Sequence, residues 1–171
     1  RVVVQLEQTS SDRWFNRRYI QILKESVAVC DFSEKNLAGL RHFGIAFPHV
    51  FLTHLAGFSH QKANQPQKDI DVLFYGDPYC ERRQHALACL QSEFAVHVVT
   101  DVFGDAMHAL IQRAKVVVNI HYYQDANLET TRIYECLSLG ARIVSESSPD
   151  ITEYPLLEEA VVFVPSGDTD A

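Results

Sequence analysis

Residues 115–146 read KVVVNIHYYQDANLETTRIYECLSLGARIVSE, and this stretch decides the fold. It begins with a β-branched run at 116–120, whose composition is typical of a buried strand. Polar and aromatic residues follow. Apolar residues then recur at helical spacing from Leu128 to Gly140, where a helix C-cap is expected, and a second strand starts at Ala141. Open α/β sheets bind ligands at a loop of this kind, between the carboxyl end of a strand and a helix.

Strand and helix patterns alternate along the rest of the chain. In the first part they predict strands at 2–6, 27–30 and within 47–55, and helices at 14–26 and 33–44. In the second part they predict strands at 71–75, 94–99, 116–120, 141–144 and 161–164, and helices at 81–91, 105–113, 128–140 and 153–159. Such alternation implies an α/β fold of Rossmann-like parallel sheets with helices on both faces.

One segment, FSHQKANQPQ at 58–67, interrupts this alternation because it is polar, lacks periodicity and contains a proline. We therefore predict part of one Rossmann-like domain at 1–57, a linker at 58–67 and a second Rossmann-like domain at 68–171. The chain begins at Arg1 inside a strand pattern and ends at Ala171 directly after another. For that reason we expect a fragment of a longer protein.

Composition excludes several classes of protein. The formal net charge of −7 argues against a nucleic-acid partner, which would normally face a basic patch. No apolar run approaches transmembrane length, and no signal-peptide pattern is present at the start. The four cysteines, at 30, 80, 89 and 136, form no CxxC pair. They favour buried free thiols in a reducing compartment, so we expect a cytoplasmic protein.

The acidic pair Asp69 and Asp71 and the eight histidines are the residues to test for a metal site. The acids precede the apolar run of their strand, so we expect them to be solvated at its entrance. The histidines have no HExxH-type spacing and no accompanying cysteine pair, which predicts no metal site. His121 differs from the others because it follows the 116–120 strand directly. We expect its side chain to point into the ligand site.

Two arginines begin the helix that follows the 71–75 strand. The connecting loop, YGDPYCERR at 75–83, contains Gly76 but no GxGxxG dinucleotide fingerprint. The helix dipole disfavours cations at a helix start, so Arg82 and Arg83 need either solvent or an anion. Solvent is the more common partner of such arginines. The more specific hypothesis is a phosphate held between this loop and residues 127–132.

The helix predicted to start near Asn127 offers a second phosphate contact. Free backbone N–H groups at a helix start bind phosphate, and Thr130 and Thr131 add hydroxyl donors. Glu129 would repel phosphate if it pointed inward, so we expect it to face outward or to bind a sugar hydroxyl. Glu135 lies four residues after Thr131, on the same predicted face, where its carboxylate is placed to accept two ribose hydroxyls. The alternatives are an ordinary N-cap by Asn127 and an exposed Glu135.

The strand, the polar loop and the sequence LETTRIYECLSLGARIVSE at 128–146 together resemble the nucleotide-sugar-binding segment of GT-B glycosyltransferases of the "glycosyl transferases group 1" type. Residues 71–164 are similar to the C-terminal, donor-binding domain of that family, and residues 1–57 to the end of its acceptor domain. The resemblance implies transfer of a sugar from a UDP- or GDP-linked donor to a glycan, lipid or small-molecule acceptor, as in polysaccharide biosynthesis. It implies no cofactor and no metal, and it places the linker beside an interdomain cleft.

The resemblance also implies roles for single residues. Glu135 matches the glutamate that binds the ribose hydroxyls, and the loop at 102–104 matches the one whose backbone contacts the base. Asn127 stands where retaining members often carry a second glutamate. His121 and Glu129 are the candidates for a catalytic role, and no general base is assigned. The residues that the resemblance assigns to the donor are Gly76, Arg82, Arg83, Phe103, Tyr123, Asn127, Thr130, Thr131, Arg132 and Glu135.

The predicted chemistry is stabilisation of a leaving diphosphate by N–H donors, hydroxyls and arginine, which does not require a metal. The leading interpretation is therefore a glycosyltransferase, or a fragment of one. The alternative is a non-catalytic, degenerate transferase domain that binds nucleotide or carbohydrate or serves assembly, and Asn127 favours it. A dehydrogenase-like nucleotide binder is a third possibility, which the missing GxGxxG fingerprint argues against.

Overall fold

The computed structural model describes residues 1–53 and 66–167, and the chain divides into two units, Arg1–Leu55 and Ala56–Ala171. Residues 58–65 of the predicted linker lie outside the described residues, as do residues 54 and 55 of the third predicted strand region. Each unit is an all-parallel sheet with helices, which confirms the predicted fold class. The functions predicted for the two domains remain predictions.

The first unit contains three parallel strands in the order β1-β2-β3. Its core consists of apolar side chains from both helices, two strands and the adjoining loops: Phe15, Leu23, Val29, Leu40, Ile45 and Val50. The elements are β1 (Val2–Gln5), α1 (Arg17–Lys24), β2 (Ala28–Asp31), α2 (Glu34–His42) and β3 (Val50–Leu52).

Capping residues set the start of both helices in this unit. Ser33 caps α2 as predicted, and its side chain accepts a hydrogen bond from the Asn36 backbone N–H at 3.3 Å. The first helix begins later than predicted. Asn16 accepts from the Tyr19 N–H at 3.0 Å and starts α1 at Arg17, which leaves Trp14 outside the helix.

The second unit is a five-stranded parallel sheet in the order β5-β4-β6-β7-β8. Two 3₁₀ segments, Ile151–Glu153 and Pro155–Glu159, replace the single short helix predicted at 153–159. Among the helices of the described residues, none combines the length and the apolar character that crossing a membrane requires. The elements are β4 (Ile70–Tyr75), α3 (Glu81–Glu93), β5 (Val96–Val99), α4 (Gly104–Arg113), β6 (Ala114–Asn119), α5 (Thr130–Ser138), β7 (Arg142–Glu146) and β8 (Val162–Val164).

Both faces of the second sheet are buried, because side chains alternate between them along each strand. On one face, Val72, Phe74, Val118 and Ile120 pack with Leu87 of α3. The opposite face packs against α4 and α5, and the buried residues there include Leu73, Met107, Ile111, Val117 and Ile133. Burial on both faces explains the continuous apolar runs in the sequence.

The strand order creates a reversal between β4 and β6. From β4 the chain moves to β5 on one side, and it then returns to β6 on the other side. The connections therefore leave neighbouring strands in opposite directions, and a crevice forms outside their carboxyl ends. Gly76 follows β4 and Ile120 follows β6, so both residues lie at this crevice.

Candidate functional site

Gly76 ends β4 at the reversal point, and its backbone adopts φ 130°, a conformation that L side chains rarely adopt. Its N–H donates to the Val99 carbonyl at 3.0 Å. A Cβ at this position would lie 3.1 Å from Arg132 Nη2 and 3.6 Å from Arg83 Nη1. The missing side chain therefore leaves room for two guanidinium groups at the end of the strand.

Arg83, in the first turn of α3, is only 4% exposed. Its Nε donates to the Ile120 carbonyl at 2.8 Å and its Nη1 to the Asp77 carbonyl at 2.9 Å. The guanidinium also lies over the rings of Phe74 and Tyr122. Burial lowers the pKa of Arg83, and the nearby Glu129 carboxylate opposes that effect. The result is a buried cation in a fixed orientation.

Arg132 reaches the same place from the first turn of α5. Its Nη1 donates to Asn119 Oδ1 at 2.8 Å, and its guanidinium lies 4.9 Å from the centre of the Tyr75 ring. Burial by itself would lower the pKa of Arg132, but the combined charges of the surrounding acidic groups, Glu129 foremost, raise it. Two helices on opposite faces of the sheet thus each supply one guanidinium, and we call Arg83 and Arg132 the arginine pair.

Glu129 connects the two members of the arginine pair. Its Oε1 lies 3.3 Å from Arg83 Nη2, and its Oε2 lies 2.9 Å from Arg132 Nη1. We expected this carboxylate to face outward or to bind a sugar, and the structure places it inward instead. The physical reason is that two largely buried cations require a counterion. One carboxylate contacts both guanidiniums directly, and the carboxylates of Asp77 and Glu135 act on them from further away.

Glu135 lies one turn further along α5, and both of its carboxylate oxygens have neighbours. The Tyr75 hydroxyl donates to Oε2 at 2.8 Å, and His108 Nε2 lies 3.2 Å from Oε1. Burial raises the pKa of Tyr75, so the phenol stays protonated as a donor. The side chain of Glu135 is 26% exposed, which leaves the fixed carboxylate reachable from solvent. Sequence reasoning identified neither Tyr75 nor His108.

Arg82 belongs to a different cluster from its neighbour Arg83. Both of its terminal nitrogens donate to Glu146, and it also donates to the His121 carbonyl at 3.1 Å and to Ser166 Oγ at 2.8 Å. Burial alone would raise the pKa of Glu146, but the hydrogen bonds from Arg82 and from backbone N–H groups lower it. We predicted solvent or a phosphate as the partner of Arg82. In the structure its partner is the buried carboxylate of Glu146.

The loop before α5 also differs from the prediction. The helix begins at Thr130 rather than near Asn127, because the Leu128 N–H donates to Asp150 Oδ1 at 2.9 Å and holds this loop against the sheet. Asn127 and Thr130 are buried, and only Thr131 of the three predicted contacts at the helix start is partly exposed. The predicted common face is therefore reduced to Thr131 and Glu135.

Two further predicted residues, His121 and Tyr123, belong to this loop, and a third, Phe103, precedes α4. The side chain of His121 is 1% exposed, and its Nε2 has no hydrogen-bond partner within residues 1–53 and 66–167. Burial lowers its pKa, so the ring is neutral at pH 7 and turned into the protein rather than into an open site. Tyr123 packs edge-on against Tyr122, with ring centres 4.8 Å apart. Phe103, just before α4, is 80% exposed.

The acidic pair at the entrance of β4 lies at the opposite edge of the sheet. Asp69 pairs with Arg113 and Asp71 pairs with Lys115, in both cases with exposed side chains, as expected for a strand start. Within the described part of the chain, no group of three His, Cys, Asp or Glu side chains is arranged to hold a metal ion. The four cysteines are free thiols, as predicted, but only Cys136 is buried, and the other three are half-buried.

Comparison with solved structures supports the Rossmann-like α/β fold described above. Among 15 matching chains is sucrose-phosphate synthase from Thermosynechococcus elongatus, which superposes with a TM-score of 0.57 at 14% sequence identity. The alignment covers 99% of this chain and 56% of that one, so this chain spans little more than half of that protein. A comparison with curated proteins found no match.

Comparison with protein families identifies the second unit directly. A family model described as "Glycosyl transferase-like" matches residues 57–170, about two thirds of the chain. The predicted resemblance to GT-B glycosyltransferases is thereby confirmed, together with sugar transfer as the general activity of the family. The chain belongs to the glycosyl transferase-like family.

Proposed function

We propose that this chain binds a nucleotide-diphosphate sugar in its second unit and, with the rest of its protein, transfers the sugar to a glycan, lipid or small-molecule acceptor. The observation that carries the proposal is the arginine pair. Two guanidiniums at the β4–β6 reversal share a single contacting carboxylate, and an oriented carboxylate, Glu135, lies one turn along α5. A polyanionic group joined to a hydroxyl-bearing sugar matches this arrangement.

In this proposal the diphosphate binds the arginine pair above Gly76. Guanidiniums form charge-assisted, frequently bidentate hydrogen bonds with phosphate oxygens, and these are about twice as strong as neutral ones. The same groups stabilise the negative charge that develops on the leaving diphosphate when the sugar bond breaks. Two fixed cations thereby supply the neutralisation that a metal-independent transfer requires. Arg82 is not included, because the Glu146 carboxylate balances its charge one to one.

The nucleoside binds along α5 and toward α4. Glu135 accepts the two ribose hydroxyls, while Tyr75 and His108 hold its carboxylate in place. The base, uracil or guanine, extends to the loop at 102–104, where the exposed Phe103 ring offers a face for stacking. No general base is assigned, because His121 is buried and Glu129 pairs with the arginine pair in the empty site. The acceptor domain is assigned to residues 1–57.

A thermal-shift titration tests the proposal. UDP or GDP, alone and as nucleotide sugars, should raise the unfolding temperature of the chain. Glu135→Ala should abolish most of that shift, because the ribose hydroxyls lose their acceptor. Glu93→Ala, an exposed glutamate at the end of α3, is the matched control and should keep the full shift. The absence of a shift with every nucleoside diphosphate would contradict the proposal.

The second candidate function is a non-catalytic module of the same family that binds nucleotide or carbohydrate. The observation that favours it is the environment of Asn127, which stands in the place of an acid and is buried. Hydrolysis or transfer assays on the full-length protein separate the two candidates. Turnover of a nucleotide sugar supports the transferase. Binding of UDP or GDP without any turnover supports the binding module.

A further inference from the structure

We propose that Glu129 is an internal competitor for the anion that binds the arginine pair, so that only a ligand with more than one negative charge displaces it. The nature of the natural ligand rests on the proposed function. The competition itself rests on the contacts of Glu129 and applies to any phosphate-like anion. It assigns to Glu129 the role of setting the affinity and the charge selectivity of the site.

The geometry of Glu129 is that of a bound anion. Its two oxygens contact two different guanidiniums, at 3.3 Å for Arg83 and 2.9 Å for Arg132. A phosphate group bridging the same pair would present two oxygens to the same cations. The nitrogens Arg83 Nη1 and Arg132 Nη2 also converge over Gly76, beside this carboxylate. A phosphate placed there is adjacent to Glu129, and like charges in contact cost several kcal/mol.

The position of Glu129 in the chain allows it to leave. It precedes the first residue of α5, and its backbone carbonyl accepts from the Arg132 and Ile133 N–H groups at 3.1 Å, so its release requires rotation of the side chain alone and leaves the helix intact. Its side chain is 18% exposed, which provides a path outward. Every contact that holds the carboxylate comes from the arginine pair within the described residues. An anion that takes over these two guanidiniums therefore removes the reason for its inward orientation.

The competition selects by charge. A tethered carboxylate competes at a high effective concentration, so a monoanion such as chloride or acetate gains little by replacing it. A diphosphate brings two or more negative charges and several acceptor oxygens to the same pair. The displaced carboxylate gains hydration when it turns to solvent. Glu129 thus keeps two largely buried cations balanced in the empty site and gives preference to polyanions.

Isothermal titration with inorganic pyrophosphate tests this inference. Glu129→Gln should bind pyrophosphate at least tenfold more tightly than the unmodified chain, and acetate should also bind more tightly to the variant, because the competing carboxylate is gone. Glu93→Gln removes one exposed negative charge elsewhere on the same unit and should leave the affinity unchanged. In the Glu129→Gln background, Arg132→Met should abolish the gain, since the competitor and its target are then both absent. Unchanged or weaker binding by folded Glu129→Gln overturns the inference.

A second measurement covers the case in which Glu129→Gln fails to fold without an anion. A crystal structure of the unmodified chain with pyrophosphate should show the Glu129 carboxylate out of hydrogen-bond reach of both guanidiniums. A carboxylate still bridging both of them beside bound pyrophosphate overturns the inference. If pyrophosphate binds more tightly to Glu129→Gln but UDP and GDP bind no better than pyrophosphate, the competition stands and the proposed nucleotide function fails. If UDP binds but Glu129→Gln does not change the affinity for pyrophosphate, the proposed nucleotide function stands and the competition fails.

Discussion

The carboxyl edges of the two sheets hold polar clusters of opposite character. In the first unit, Asp31 at the end of β2 is buried and accepts from Gln5 Nε2 at 2.7 Å, the Ser33 N–H at 3.0 Å and Asn36 Nδ2 at 3.2 Å. In the second unit, two buried guanidiniums share the single carboxylate of Glu129. Both clusters lie where a parallel sheet commonly binds ligands.

The difference lies in how each charge is satisfied. Neutral amides and backbone N–H groups surround Asp31, and burial still raises its pKa despite these hydrogen bonds. The carboxylate accepts from donors within the protein, and Gln5 and Asn36 also donate to the Glu7 carbonyl, so the cluster fixes the loop after β1 rather than attracting a ligand. The two guanidiniums of the arginine pair share a single contacting carboxylate. Position in the fold therefore indicates where a ligand can bind, and the local charge balance indicates which edge is suited to do so.

Arg132→Met should have the largest effect, because it removes one of the two cations on which the comparison depends. Only Arg83 then remains to balance Glu129, and Asn119 loses its donor. We expect affinity for nucleoside diphosphates to fall about 100-fold, since hydrogen bonds to charged groups contribute about 1.5–3 kcal/mol. Isothermal titration measures the change. Arg113→Met, at the opposite end of the strands, is the control and should keep the full affinity. Equal losses of affinity in both variants would show that binding does not depend on the arginine pair.

Asp31→Asn should have an intermediate effect, confined to stability. An amide in place of this carboxylate turns an N–H₂ group toward at least one existing donor, which costs about 2 kcal/mol of unfolding free energy. Urea unfolding followed by fluorescence of Trp14, the single tryptophan, reports on the first unit directly. Asp12→Asn, at an exposed position, is the matched control. Nucleotide affinity should stay the same, and a marked change in it would show that the first cluster is more than a loop anchor.

The smallest expected effect is the difference in stability between Gly76→Ala and its control, and this difference measures how tightly the arginine pair is packed. Gly104→Ala provides the control, because that residue also has a positive φ, 59°, but no described atom lies within 4 Å of its added Cβ. We expect Gly104→Ala to cost about 1 kcal/mol from backbone strain alone. Gly76→Ala should cost roughly 1 kcal/mol more, since its φ of 130° is less accessible and its Cβ contacts Arg132. Equal losses of stability in thermal unfolding would mean that the arginine pair tolerates the extra carbon.

Local patterns in the sequence predicted most of the fold. Strand and helix periodicity gave the order of the elements, and Ser33 marked the start of α2. The loops after β4 and β6 were predicted to bind the ligand because buried strands end there, and this function remains a prediction. The start of α5 was misplaced because Asp150, more than twenty residues away, binds the loop before it. Such a contact leaves no local signal.

Within the site, the sequence indicated residue types but not their partners. Arg82 and Arg83 are adjacent in the chain, yet their carboxylate partners lie 64 and 46 residues further on. Helical rotation sends the two side chains in different directions, and only the packed sheet determines which acid each one meets. Tyr75 looked like an ordinary strand residue because its role depends on α5 packing over the end of β4. Pairings of this kind depend on tertiary structure.

The buried thiol of Cys136 has a practical consequence. Burial raises its pKa to about 11, and it lies on α5 beside Glu135, with its Sγ 3.5 Å from the Tyr75 hydroxyl. The other three cysteines are half-buried, so a thiol reagent at neutral pH should modify them first. With those three replaced by serine, the labelling rate of Cys136 measures how often α5 opens locally. Any molecule that binds to this helix should lower that labelling rate, whatever its chemical identity.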